Sequence, residues 1–254
     1  MTSLEVIALQ GLPLISAGDD LVELVASALK LNEVTPRAGD VLVVAQKIVS
    51  KAEGRVVDLA TIEPSAQAVA LATDVDKDPR LVEVILSESV RVVRARRGVL
   101  IAEHKLGFIM ANAGVDQSNV GPADRSHRVL LLPENPDRSA ETMRRGLAAL
   151  TGIDVAVVIN DSFGRPWRQG TAGVAIGAAG LPALIDLRGR PDLFGRRLEV
   201  SVIGFADEVA AAASLVMGQA NEALPVVLIR GLRWSAPESA AASIVRPPNE
   251  DLFR

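Results

Sequence analysis

Two aspartates carry the first hint of chemistry in this chain. Asp116 follows the apolar segment Gly107-Phe108-Ile109-Met110, and Asp161 follows Val155-Ala156-Val157-Val158-Ile159, so each carboxylate is expected just past an apolar strand. Ligand sites in sheets with helical connections form at such strand ends, and hard cations such as Mg²⁺ or Mn²⁺ take oxygen ligands of this type. Ser162 and Gln219 can add neutral oxygens. Spacing alone does not separate a metal site from aspartates that cap loops.

Lys51, Arg165 and Arg168 add positive charge, which a phosphoryl-transfer site needs to offset the charge on the transferred group. The same residues can equally lie on a solvated surface or pair with some of the 31 acidic residues. No Gly-x-x-x-x-Gly-Lys-Ser/Thr loop is present, so a bound nucleotide would not sit on a standard P-loop. His104 and His127 are the only histidines, which excludes a multi-histidine zinc site and weakens any histidine-based nucleophile triad. Gly173, Gly177 and Gly180 have the wrong spacing for a dinucleotide fingerprint and read as packing glycines.

The elements that would position these groups alternate between strand and helix. Ile7 to Leu9 reads as a strand, Asp19-Asp20 as a cap for the amphipathic helix Leu21 to Leu31, and Val41 to Ala45 as a strand covered on both faces that delivers Gln46, Lys47 and Lys51 beyond its end. Helices are expected over Ala66 to Ala72 and Leu81 to Ser87, followed by a β-rich section with a hairpin at His104-Lys105, a Gly-Pro-Asp loop and a strand from Arg128 to Leu132. A helix over Ser139 to Leu150 precedes the Val155 to Ile159 strand, which is expected to end in a polar loop, Asn160 to Arg168. Thr171 to Gly180 fits a close-packed helix or strand, Leu198 to Ile203 a strand, Ala206 to Glu222 a helix and Val226 to Ile229 a strand.

The chain of 254 residues is long enough for one large domain or two modest lobes, and a 49% hydrophobic content supports a packed core. A net charge of −4 gives no broad attraction for a polyanion, and with 3% aromatics and no Tyr there is little from which to build a base-stacking platform, so nucleic acid is not an expected partner. The absence of cysteine rules out disulfides, thiolate metal sites and a cysteine nucleophile. The N-terminus lacks the basic and apolar regions of a signal peptide and no apolar run approaches the roughly 20 residues that span a bilayer. A soluble, cytoplasmic protein with no membrane partner is the expectation.

Taken together, Gly11-Leu12-Pro13, Gly18-Asp19-Asp20-Leu21, the run from Lys47 to Arg55, the run from Asn112 to Asn119 and the run from Asp161 to Arg168 closely resemble the coenzyme F420-0:L-glutamate ligase family. The resemblance covers essentially the whole chain, extending through Met217-Gly218-Gln219 and Pro225 to Gly231. It implies that Asp116, Asp161, Ser162 and Gln219 hold divalent metal. It further implies that Leu12, Pro13, Leu14, Ile15, Gln46, Lys51, Asn119 and the segment Met217, Gly218, Gln219, Ala220, Asn221, Glu222, Ala223 and Leu224 line a GTP site. Two positions depart from the family pattern: Gln46 stands where Ser is usual, and Ser162 where Thr is usual.

The implied reaction is GTP-dependent. The terminal carboxylate of F420-0 is phosphorylated, the amine of L-glutamate attacks the acyl phosphate, further γ-linked glutamates can follow, and GDP and phosphate leave. Mn²⁺ or Mg²⁺, with K⁺ as a further cation, would accompany GTP, while Lys51 with Arg165 or Arg168 would offset developing charge or hold an acidic substrate. The implied architecture is mixed α and β (α+β): two interlocked lobes with largely antiparallel or mixed sheets within one ligase domain, residues 1–254, forming a homodimer. The stretch Val245 to Arg254 resembles the junction at which longer, bifunctional actinobacterial relatives continue into a flavin reductase domain. Two other readings stay open: a ligase for another carboxylate acceptor, and a non-catalytic protein that binds F420 or a nucleotide.

Overall fold

A computed structural model of the chain describes residues 3–121 and 127–252. The expected Gly-Pro-Asp loop lies largely outside the described residues. In chain order the strands are β1 (Glu5–Ala8), β2 (Val41–Ala45), β3 (Val56–Asp58), β4 (Ser89–Arg96), β5 (Val99–His104), β6 (Ile109–Ala111), β7 (Arg128–Leu130), β8 (Ala156–Arg165), β9 (Arg168–Ala179), β10 (Ile185–Asp186), β11 (Val202–Ile203) and β12 (Val226–Arg230). The helices are α1 (Leu21–Leu31), α2 (Gln46–Ala52), α3 (Ala66–Val75), α4 (Pro79–Ser87), α5 (Pro136–Thr151) and α6 (Phe205–Met217).

The main sheet has the order β1-β12-β2-β8-β9, with β2 and β8 parallel and the other pairs antiparallel. Val41 to Val44 have no exposed surface, because helices cover both faces of the strand they form. One face packs Leu42, Val44, Val157 and Ile159 against Val25 and Leu29 of α1 and Met143 and Leu147 of α5. The other packs Val41, Val43, Val158 and Val227 against Val209, Ala210 and Ala213 of α6. A third core, formed by Leu59, Val75, Val82, Ile85, Leu100, Val129 and their neighbours, joins α3 and α4 to the antiparallel β4-β5-β6 sheet. The mixed and antiparallel sheets agree with the α+β expectation.

Local signals set the helix ends. Asp20 accepts from the backbone N–H groups of Val22 and Glu23 at the start of α1. Asn135 caps α5, Pro136 occupies its first turn and Gly152 closes it in the left-handed conformation.

The structure changes the expectations for Asn160 to Arg168 and for the end of the α6 helix, decides Thr171 to Gly180 as strand, and shortens the expected Leu198 to Ile203 strand to β11 alone. Asn160 to Arg168 is not a loop: β8 runs on through Arg165 and folds back at Pro166-Trp167 into β9, paired from Val157↔Ala179 out to Arg165↔Arg168 with register shifts between Ile159 and Asn160 and between Gly164 and Arg165. Thr171 to Gly180 is therefore almost wholly strand, made of small residues because helices lie directly on it. A Cβ at Gly177 would collide with the backbone of Pro136 at the start of α5, and one at Gly173 with Ser214 and the Ala210 carbonyl of α6. Helix α6 stops at Met217, where Gly218 takes φ +76°, and residues 218–225 form a loop instead of a further helical turn.

Candidate active site

The C-terminal end of β2 organises the candidate site. Helix α2 begins immediately after Ala45, and its i, i+4 spacing sorts four polar residues onto two faces. Gln46 and Ser50 are buried and joined by a 3.0 Å hydrogen bond from Gln46 Nε2, which also reaches the Leu131 carbonyl at 3.4 Å. Lys47 and Lys51 occupy the other face and meet the segment around residues 116–119.

That segment is presented by strained backbone. After β6, Asn112, Ala113 and Gly114 take φ values of 52°, 48° and 72°, and Ala113 is buried. Left-handed conformations cost roughly 1–2 kcal/mol per non-glycine residue. A reciprocal backbone pair between Asp116 and Leu130 then fixes Asp116 beside β7.

Lys47 Nζ lies 2.6 Å from Asp116 Oδ2 and donates to the Ser118 carbonyl at 2.9 Å. Ser118 also donates to Asp116, through its N–H at 2.7 Å and its hydroxyl at 3.0 Å. Lys51 Nζ donates to the Asn119 carbonyl at 2.6 Å, and the Asn119 amide in turn donates to the Ala220 carbonyl at 3.0 Å. Across the sheet, Ser162 donates a 2.6 Å hydrogen bond to Gln219 Oε1, while the Ser162 N–H donates to Asp161 Oδ1 at 2.8 Å.

Electrostatics couple these groups. Burial pushes the Asp161 carboxyl above its ordinary range, and the nearby Asp116 pushes the same way, against the Ser162 N–H and Lys47. Burial also raises Asp116, but the hydrogen bond from Lys47 and those from Ser118 outweigh it and leave this carboxyl below the ordinary range. Lys51 is lowered by burial and by its neighbour Lys47. Two carboxylates that repel one another lie next to two lysines, one of them already paired with Asp116, so opposite charges stand side by side in the cluster.

The donors that would hold a metal are all oxygens: Asp116, Asp161, Ser162 and Gln219. Among the described residues no group of three or more His, Cys, Asp or Glu converges. Two carboxylates with neutral oxygens suit a hard cation that keeps positions for water and phosphate oxygens. A divalent ion would also relieve the Asp116–Asp161 repulsion. The residues present therefore fit Mg²⁺ or Mn²⁺.

The structure brings together Lys51, Asp116, Asn119, Asp161, Ser162, Gln219 and Ala220. The loop containing Leu12, Pro13, Leu14 and Ile15 leaves the same edge of the sheet after β1, with Leu14 exposed and Ile15 buried in the core. Asn221, Glu222 and Ala223 are exposed in the loop after α6, Leu224 is half-buried, Met217 is packed in the core and Gly218 turns the chain. Gln46 is not brought in, since its side chain points into the protein. Arg165 and Arg168 sit at the tip of the β8–β9 hairpin, four residues beyond Asp161, a rise of about 13 Å along a strand. Lys47 and Ser118 complete the cluster without having been singled out as site residues; the i, i+4 relation of Lys47 to Lys51 was the available signal.

Residues 11–231 match the family described as F420-0:Gamma-glutamyl ligase. The chain belongs to the F420-0:gamma-glutamyl ligase family. Coenzyme F420:L-glutamate ligase of Methanopyrus kandleri is 47% identical over 100% of both chains. The protein of the same name from Methanothermobacter thermautotrophicus is 44% identical over 99% of each chain, and that from Archaeoglobus fulgidus 42% identical over 98% of this chain and 96% of its own. The five sequence blocks thus point to the right family. The actinobacterial bifunctional form draws no support from these relatives.

Within this F420-0:gamma-glutamyl ligase family member, no described helix is long and apolar enough to cross a membrane.

Proposed function

We propose that this protein joins L-glutamate to coenzyme F420-0, forming a carbon–nitrogen bond, and then adds γ-linked glutamates, with GTP as the source of activation. The names of its relatives support the acceptor and the amino acid. The observation that carries the mechanism is the convergence of Asp116 and Asp161 with Lys47 and Lys51 where β2 ends beside the middle of β8.

A carboxylate does not react with an amine in water until an oxygen is made a leaving group. Phosphorylation of the coenzyme carboxylate by GTP does this, releasing GDP; the glutamate amine then displaces phosphate from the acyl phosphate. Mn²⁺ or Mg²⁺, held by Asp116, Asp161, Ser162 and Gln219, supplies charge neutralisation for the phosphate oxygens when bound. Lys51, held in place by the Asn119 carbonyl, is positioned to neutralise phosphate charge, and Lys47 orients Asp116. The loops 12–15 and 217–224 form the walls of the GTP site in this reading, and K⁺ is a further cation.

In the same reading residues 1–254 form one ligase domain and the protein acts as a homodimer. Two features favour self-association: Leu193 and Phe194 are almost fully exposed at the end of the arm between β10 and β11, and Trp167 is exposed at the β8–β9 tip. In a dimer the hairpin arginines Arg165 and Arg168 can serve an acidic substrate that their own carboxylate cluster does not reach.

The deciding experiment follows GDP release and coenzyme mass with GTP, Mn²⁺ or Mg²⁺, F420-0 and glutamate. A gain of glutamate residues that requires both metal and GTP supports the reading. Release of GDP only with another acceptor would replace it by a ligase of different specificity, and F420-0 binding without any mass change by a binding protein.

A further inference from the structure

A cavity of about 220 Å³ opens beside the carboxylate cluster, and no residue role assigned above uses it. Its walls include Phe108, Phe163, Val174 and, from the C-terminal segment, Ile244 and Val245. Val174 is the direct cross-strand partner of Asp161, and Phe163 lies two residues along β8. Opposed residues on antiparallel strands share a face with Cβ atoms about 4.5–5.5 Å apart, and alternate residues of a strand share that face too. The cavity wall therefore continues the surface that carries Asp161.

The lining is aromatic and aliphatic, with the Phe108 and Phe163 rings 6.1 Å apart and tilted by 54°. Arg246 lies at the rim, exposed and without an ion pair among the described residues. Asp251 also contributes to the lining and has a partner of its own. Sites that enclose a whole drug-sized molecule run to about 300–1,000 Å³, so this space takes one ring system rather than an entire coenzyme. Glutamate and the GTP phosphates lack the apolar, planar surface that such walls would bury; the guanine ring is planar, but the loops assigned to GTP, 12–15 and 217–224, contribute nothing to this lining.

The acceptor of the proposed reaction, F420-0, is a deazaflavin coenzyme: a planar ring system joined to an acidic tail that ends in the carboxylate to be activated. We propose that this cavity receives that deazaflavin ring, with Arg246 as counter-charge to the acidic tail as it runs toward Asp161. The inference rests on the ligase reading for the identity of the acceptor. It makes the C-terminal segment around residues 244–246 a determinant of acceptor specificity, not of nucleotide binding.

Val245→Trp fills the cavity at a position outside the metal and phosphate cluster. The probe is 5-deazariboflavin, which has the ring system but no carboxylate, titrated by its fluorescence against the full-length protein. Wild type should bind it and Val245→Trp should not. The KM for F420-0 should rise at least about tenfold in the variant while the KM for GTP stays unchanged. Arg246→Glu should raise the KM for F420-0 yet leave 5-deazariboflavin binding intact. Should Val245→Trp fail to melt cooperatively, Ile244→Trp fills the same space from the neighbouring position. Equal 5-deazariboflavin binding by wild type and a folded filling variant, with an unchanged KM for F420-0, overturns the assignment. Absence of F420-0-dependent GDP release in wild type would instead sink the ligase reading, and the 5-deazariboflavin titration would still judge the cavity.

Discussion

Lys47 Nζ stands 2.6 Å from Asp116 Oδ2, joining the first turn of α2 to the strained segment that follows β6. The side chains are 27% and 42% exposed, so the pair contributes only about 0–1 kcal/mol to stability. Its importance is positional. Lys47→Met is expected to lower kcat/KM by at least about a hundredfold, the scale of losing one aligned electrostatic contact, while the melting temperature changes little. Steady-state GDP release and a thermal melt check both halves. Retained activity would remove Lys47 from the site.

Asp161→Asn keeps the shape of a carboxylate and removes its charge. Because burial and Asp116 raise the Asp161 carboxyl in the folded protein, its ionised form costs stability without metal, and that cost disappears as pH falls through its folded value. The metal-free variant should be at least as stable as wild type at pH 7. Saturating Mn²⁺, at about a hundred times its Kd, should stabilise wild type by roughly 2.7 kcal/mol and Asp161→Asn by much less. Melts with and without Mn²⁺ provide the measurement; equal metal-dependent shifts would exclude Asp161 as a ligand.

Gln46 separates two accounts of its position. Its amide is buried against Ser50 and the Leu131 carbonyl. Gln46→Ser, which introduces the residue the family resemblance leads one to expect at this position, should therefore cost about 1–3 kcal/mol through a lost buried hydrogen bond and a small cavity, and leave the KM for GTP unaltered. A changed KM for GTP with unchanged stability would place Gln46 at the nucleotide after all.

Away from the site, Glu88 is held below its ordinary range first by the His104 imidazole, whose Nε2 is 3.7 Å away, and then by Arg55 and Lys105, against the opposing effect of burial. Arg55 meets Glu88 at 2.7 Å and also donates to the Leu132 carbonyl, tying the third core to the segment that leads into α5. Because the folded carboxyl is depressed, its contribution is complete above the ordinary value of 4.5 and is lost as pH falls through the lower folded value. Glu88→Gln should cost about 2–3 kcal/mol at neutral pH, and the gap to wild type should narrow at an acid pH below the lowered folded value. Denaturant melts at the two pH values test this; a gap independent of pH would show that charge is not the cause.

Much of the frame was legible because local rules agreed with the final packing. The Asp20 cap and the spacing of Leu21, Val25 and Leu29 located α1, and the unbroken Val41 to Val44 run located a strand covered on both faces. Asp116, Asp161, Ser162 and Gln219 could be named from residue type and family pattern. The β8–β9 hairpin was not legible, because the polar run Asn160 to Arg168 is strand only through its hydrogen bonds to β9.

The sequence by itself determined the inventory: oxygen ligands and cations without cysteine, apolar runs for a covered sheet, and motifs that identify the family. Tertiary structure decided which members of that inventory meet. It placed Lys47 against Asp116 and Ser162 against Gln219, turned Gln46 inward from the helix that carries both lysines, and set Arg165 and Arg168 at a distant tip. The physical reason is that helix and strand propensities act over a few residues, whereas these contacts join distant segments through sheet register and the direction each side chain takes from it.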